Sequence, residues 1–265
     1  MSSRILVAVV GVPLLILIVL WAPDWAVCAA LCALAALAGV ELQRCVNGGQ
    51  NDAMTALSAV LPVFTILWGF FTAESPAPLW TAEIMLLFAY AISRSGAVKF
   101  EQIAAALFAG IAIAYSFASF LRMDAAGLAR AYLLLPFVLS FSCDSGAYLA
   151  GRAFGRRKLA PVVSPHKTVE GAIGGLAGNL IGGLIFTALI RYFHGGELGY
   201  FHVLTLSLVC GVISQVGDLS FSLIKRQYGV KDYGRVFLSH GGVLDRFDSV
   251  LFVAPVVEFA LLRLA

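Results

Sequence analysis

Four aspartates, Asp144, Asp218, Asp245 and Asp248, stand in or beside long apolar stretches of this 265-residue chain. A carboxylate at the centre of a membrane helix costs about 2.5–3.5 kcal/mol on insertion scales, so such residues face a polar cavity and need partners. Asp245 and Asp248 are three apart in the string HGGVLDRFDS, at the start of the last apolar run. Helical spacing puts both on one face, where two hard oxygen ligands could hold a divalent cation such as magnesium. The competing reading is a solvated pair of charges at a helix N-terminus, favoured by the dipole. Gly241-Gly242, just ahead, weigh toward the first, since paired glycines let the backbone approach a phosphate and expose amides at the helix start.

The loop before this string supplies Lys225, Arg226, Lys231 and Arg235 between two segments that both present acids. Basic residues at a membrane surface also serve as topology signals or anionic-lipid contacts. Cations, intramembrane acids and glycines together meet the needs of phosphoryl transfer, where positioned positive charge and metal stabilise the transferring group and its leaving phosphate. The stretch 144–175 repeats these ingredients: Asp144, spaced glycines, a basic run, and Thr168 placed to cap a helix with Glu170 in its first turn. Lys167 precedes that helix start, a natural anion site. His166 can titrate near neutrality but reads as a bystander, and His194 and His202 are assigned no role.

The elements that must position these residues follow from composition. The chain is 60% hydrophobic and 12% charged, against roughly 25% charged in a soluble domain, which excludes a water-soluble fold. Apolar runs at 5–23, 25–42, 53–71, 79–92, 103–121, 131–150, 172–190, 203–224 and 247–262 predict nine membrane-spanning helices and an all-α fold. The first run is too long for a signal-peptide core and lacks a cleavage site, so it is read as an uncleaved span. With nine spans, fourteen of the eighteen basic residues fall on the side of the N-terminus; without the short 79–92 segment the split is twelve to six. The positive-inside rule therefore favours nine spans and a cytoplasmic N-terminus. Residues 1–130 read as a scaffold with few internal polar groups, and 131–265 as the catalytic part. Glycines four apart in 171–183 read as helix-packing positions and leave room for a homodimer. The five cysteines show no zinc-ligand spacing and read as small core residues. The net charge of +3 does not argue for nucleic acid.

The run S-L-I-K-R-x4-K-D-x-G-x5-H-G-G-V-L-D-R-F-D from Ser222 to Asp248 resembles the signature of phosphatidate cytidylyltransferases, also called CDP-diacylglycerol synthases. The stretch DSGAYLAGRAFG…SPHKTVEG resembles the second segment shared by that family, and the two cover about a quarter of the chain. Family members usually carry Pro-Gly before the His-Gly-Gly, where this chain has Leu238-Ser239. The resemblance implies magnesium-dependent condensation of CTP with phosphatidate to CDP-diacylglycerol and pyrophosphate, and the short chain without a cytosolic extension suits a bacterial inner membrane better than an organelle. It implies that Asp218, Asp245 and Asp248 hold the metal with Asp144 in or beside that shell, and that Lys167, Lys225, Arg226 and Lys231 cradle the phosphates. Ser164, Thr168 and His240 then act as orienting hydrogen-bond partners, with Gly241 and Gly242 at the phosphate. Two rival readings are a CTP-dependent lipid kinase, told apart by its product, and a membrane transporter, which would spread its acids nearer mid-membrane. A purely structural protein has no use for the charged cluster.

Overall fold

The computed structural model describes residues 2–72, 74–195, 199–234, 236 and 241–264, and of residues 2–10, 12, 194 and 264 the backbone only. Each apolar run folds as helix: α1 (Ser2–Trp21), α2 (Asp24–Asn47), α3 (Asp52–Phe71), α4 (Ala77–Ser93), α5 (Phe100–Leu107), α6 (Ala114–Ala125), α7 (Leu135–Phe154), α8 (Val169–His194), α9 (Tyr200–Gln227) and α10 (Leu244–Leu264). A π-helical segment at Phe108–Ile113 joins α5 to α6 as one rod, and a 3-10 turn at Arg130–Leu134 leads into α7. Among the described residues six stretches are long and apolar enough to cross a bilayer: Asp24–Asn47, Asp52–Phe71, Phe100–Ala125, Arg130–Phe154, Val169–Phe193 and Tyr200–Gln227. The chain is thus a multi-pass helical membrane protein, and α4, at 17 residues, is the short apolar helix of the set.

An all-α reading misses one element. Gly155, Pro161 and Pro165 interrupt the basic run after α7, and proline removes a helix donor. The segment folds instead as an antiparallel hairpin of β1 (Lys158–Ala160) and β2 (Ser164–Thr168), pairing Lys158 with Thr168 and Ala160 with Ser164. Thr168 ends the hairpin and caps α8, its Oγ1 accepting from the Gly171 amide at 3.1 Å. Glu170, in the first turn, accepts from the Arg156 and Arg157 amides at 3.0 and 3.2 Å, fastening the entry of the hairpin.

The chain packs as two compact units, Met1–Ala125 with Gln227–Arg246, and Ala126–Arg226 with Phe247–Ala265. In the first, Met54, Leu61, Leu87, Val98, Ile103 and Ala106 form a buried apolar cluster. The expectation of few internal polar groups there is corrected by the structure, since Glu41, Gln43, Asn47, Thr55, Ser58, Thr65 and Glu83 are all buried. All but Glu41 are paired with one another across helices: Ser58 Oγ donates to Gln43 Oε1 at 3.1 Å, Asn47 Nδ2 to Thr55 Oγ1 at 3.2 Å, and Thr65 Oγ1 to Glu83 Oε1 at 3.3 Å. In the second unit α7 and α8 lie against one another through glycine. A Cβ at Gly178 would stand 2.6 Å from the Ser142 carbonyl, and one at Gly174 would overlap the Ala150 side chain. The glycine stripe of α8 is therefore consumed within the chain, which removes it as an argument for a dimer.

Candidate active site

In the second unit α7, α8, α9 and the hairpin bring the predicted polar residues together. Their side chains line a cavity of about 490 Å³ that includes Asp144, Arg152, His166, Lys167, Gln215 and Asp218. Gly151 and Gly171 add no side chain to its lining, and Gln215 Nε2 donates to the Ala172 carbonyl at 3.1 Å, tying α9 to α8. In the lining Lys167 forms an ion pair with Asp218. Both side chains keep about a quarter of their surface open, 27% and 25%, so the pair faces the cavity rather than the packed interior. Ser222, one turn further along α9, donates to Asp218 Oδ1 at 3.3 Å.

Asp248, on α10, lies within electrostatic reach of Asp218, Asp144 and Lys225, while its Oδ1 accepts from the Ser249 amide at 2.7 Å. Lys225 is buried, an unusual place for an ammonium group. Arg226 reaches back to the hairpin, its Nε donating to the Val163 carbonyl at 3.3 Å. The unit thus gathers Asp144, Asp218, Asp248, Lys167, Lys225, Arg226 and Thr168. Ser164 stands on β2, Thr168 is engaged as the α8 cap, and His166 lines the cavity although it was read as a bystander. Arg152, Tyr148 and Gln215 complete the lining and were missed, because none interrupts an apolar run with a carboxylate.

The first unit holds Lys231, Gly241, Gly242 and Asp245, whereas His240, Arg235 and Leu238-Ser239 lie outside the described residues. Asp245 is occupied by backbone: its Oδ2 accepts from the Tyr233 amide at 2.8 Å and the Gly242 amide at 2.9 Å. The next two amides, of Val243 and Leu244, donate at 2.9 Å each to the carboxylate of Glu41 on α2. The amides of Gly242, Val243 and Leu244 are therefore matched by the protein's own carboxylates. Glu41 was missed although the rule that selects the aspartates, an acid inside an apolar helix, selects it too.

Among the described residues no group of three or more His, Cys, Asp and Glu side chains is arranged to hold a metal by itself. Magnesium seldom asks for such a cage; it takes one or two carboxylates and completes its shell with water and substrate phosphate. Asp218 and Asp248, with Asp144 nearby, are a donor set of that kind, and their mutual repulsion is the charge a dication would relieve.

A multi-pass helical protein whose cavity gathers cations and carboxylates is equipped as a membrane enzyme that handles phosphate groups would be. The chain belongs to the cytidylyltransferase family, whose profile matches residues 2–264. It is 37% identical over 199 residues to the phosphatidate cytidylyltransferase of Bacillus subtilis (strain 168), covering 73% of this chain and 72% of that protein. It is 36% identical over 183 residues to the phosphatidate cytidylyltransferase of Staphylococcus haemolyticus (strain JCSC1435), covering 69% and 68%.

Proposed function

We infer that the chain transfers CMP from CTP to phosphatidate, giving CDP-diacylglycerol and pyrophosphate. A phosphate oxygen of phosphatidate attacks the α-phosphorus of CTP, the bond from that phosphorus to the bridging oxygen breaks, and pyrophosphate leaves. The nucleophile is already anionic near neutral pH, so no strong general base is needed. The task is to overcome repulsion between anions and to align the attack. The observation that carries the reading is the Lys167–Asp218 pair in the lining of a cavity shared with Asp144 and Arg152. There Asp218 holds Lys167 aimed, and Lys167 offers its remaining donors to a phosphate. Arg152 supplies further positive charge at the cavity wall, while Lys225 and Arg226 do so from the end of α9. Asp218 and Asp248 are the groups that would hold magnesium, with Asp144 beside them, and the bound ion would screen the triphosphate's charge. The resemblance carries the assignments for the signature loop: Lys231 and His240 to phosphate, and Asp245 to the metal shell. Residues 131–265 form the catalytic part on this reading, and 1–130 its scaffold. All nine apolar stretches cross a bacterial inner membrane with the N-terminus in the cytoplasm, where CTP is supplied.

The test is incorporation of radiolabelled CTP into lipid by the purified, detergent-solubilised protein with phosphatidate and magnesium, and Asp218→Asn as control. Label in a chloroform-soluble product that the variant abolishes supports the reading. Incorporation only when a lipid alcohol replaces phosphatidate, and only of label carried on the γ-phosphate of CTP, assigns the chain to the lipid kinases, and folded protein that incorporates nothing overturns the reading.

A further inference from the structure

We propose that Glu41, in the first unit, is a positioning residue for the reaction, acting through the start of α10; the proposal rests on the function inferred above. Glu41 sits in an apolar helix and is 5% exposed. A carboxylate buried in that setting is costly unless every oxygen is matched. Both are matched, Oε1 by the Val243 amide and Oε2 by the Leu244 amide, each at 2.9 Å. These are two of the amides a helix N-terminus leaves unpaired, and a negative charge there is favoured by the helix dipole.

The sequence around α10 is shaped to admit this carboxylate. A Cβ at Gly242 or at Gly234 would collide with the Glu41 carboxylate, so both positions require glycine for close approach. Gly241 has φ of +80°, a conformation natural to glycine, and the turn it makes presents the Gly242 amide to Asp245 at 2.9 Å. Asp245 also takes the Tyr233 amide, so the start of α10 is fastened both to Tyr233, by its own acid, and to α2, by Glu41. The Gly242 amide thus serves a protein carboxylate. Fixing the register of the first turn of α10 fixes where Asp248, four residues beyond Leu244, begins the next. Glu41 therefore sets the magnesium response without touching substrate.

Glu41→Gln keeps the shape but leaves one amide facing an amide donor. The expected result is a fall in kcat of about tenfold to a hundredfold, the scale of one lost charge-assisted hydrogen bond. The magnesium concentration giving half-maximal CMP transfer should rise severalfold, while the thermal midpoint in detergent falls by only the few degrees that one lost cap bond costs. Glu83→Gln, at the other buried membrane glutamate of the same unit, should leave the magnesium response unchanged. Folded Glu41→Gln with wild-type kcat and magnesium response overturns the proposal. So does activity that falls only in step with folded protein. If Glu41→Gln does not fold, Gly234→Ala crowds the same carboxylate and should shift the magnesium response likewise; an unshifted response overturns the proposal. A wild-type protein that transfers no CMP overturns instead the function on which the proposal rests.

Discussion

Lys167 and Asp218 are placed so that each makes the other useful. Removing one partner of a charge pair in a partly closed site leaves the other uncompensated. Asp218→Asn is expected to lower kcat for CMP transfer at least about a hundredfold, the loss typical of a preorganised electrostatic group. Lys167→Met should do the same, and the double variant should be little worse than either single one, because the two act as a unit. Steady-state kinetics on the four proteins checks this, and additive losses would separate the residues into independent roles. The aspartates were legible in the sequence because each interrupts an apolar run at a known insertion cost. Glu41 interrupts one just as plainly. Its meaning was not legible, because its partners Val243 and Leu244 lie about two hundred residues away and are backbone amides that no side-chain pattern announces.

Among the elements, α7, α8 and the hairpin decide the geometry of the cavity. Gly174→Ala places a methyl group on Ala150 and should force the helices apart, whereas Gly69 in α3 has open space around its missing side chain. Gly174→Ala is expected to lower the thermal midpoint in detergent and the transfer rate together. Gly69→Ala should leave both unchanged or slightly raise the midpoint, since alanine is the better helix former. Thr168→Val should remove the α8 cap at a cost of about 1 kcal/mol, read as a lower thermal midpoint, and loosen the hairpin that carries Lys167. The cap and the helix-packing role of the glycines were readable from residue type and spacing alone. The hairpin was not, since its strands have three and five residues and no long alternation, and its pairing depends on where the flanking helices bring its ends.

For the molecule in its membrane, the apolar runs foretold the helices because bilayer thickness imposes a minimum length that apolar sequence reports directly. Helix ends shift by up to a few residues, as where the run 172–190 becomes Val169–His194, because capping by Thr168 and Gly195 extends the helix beyond its apolar centre. Sidedness rests on charge counting, and α4 is the element on which it turns: a crossing by its 17 residues reverses everything before it relative to everything after. If α4 crosses, residues 74–76 and 94–99 face opposite sides, the second with Arg94 and Lys99 in the cytoplasm. Cysteine placed at Ser75 should therefore react with a membrane-impermeant maleimide added outside the inner membrane, and cysteine at Ser95 only after the cytoplasmic face is opened. Of the five native cysteines four are buried and Cys32 is half-buried, so background labelling should be low. Reaction of both engineered positions from the same side would remove α4 from the crossings. The part of the chain before α4 would then lie in the opposite sense, with Arg4 and Arg44 on the outer face against the charge rule.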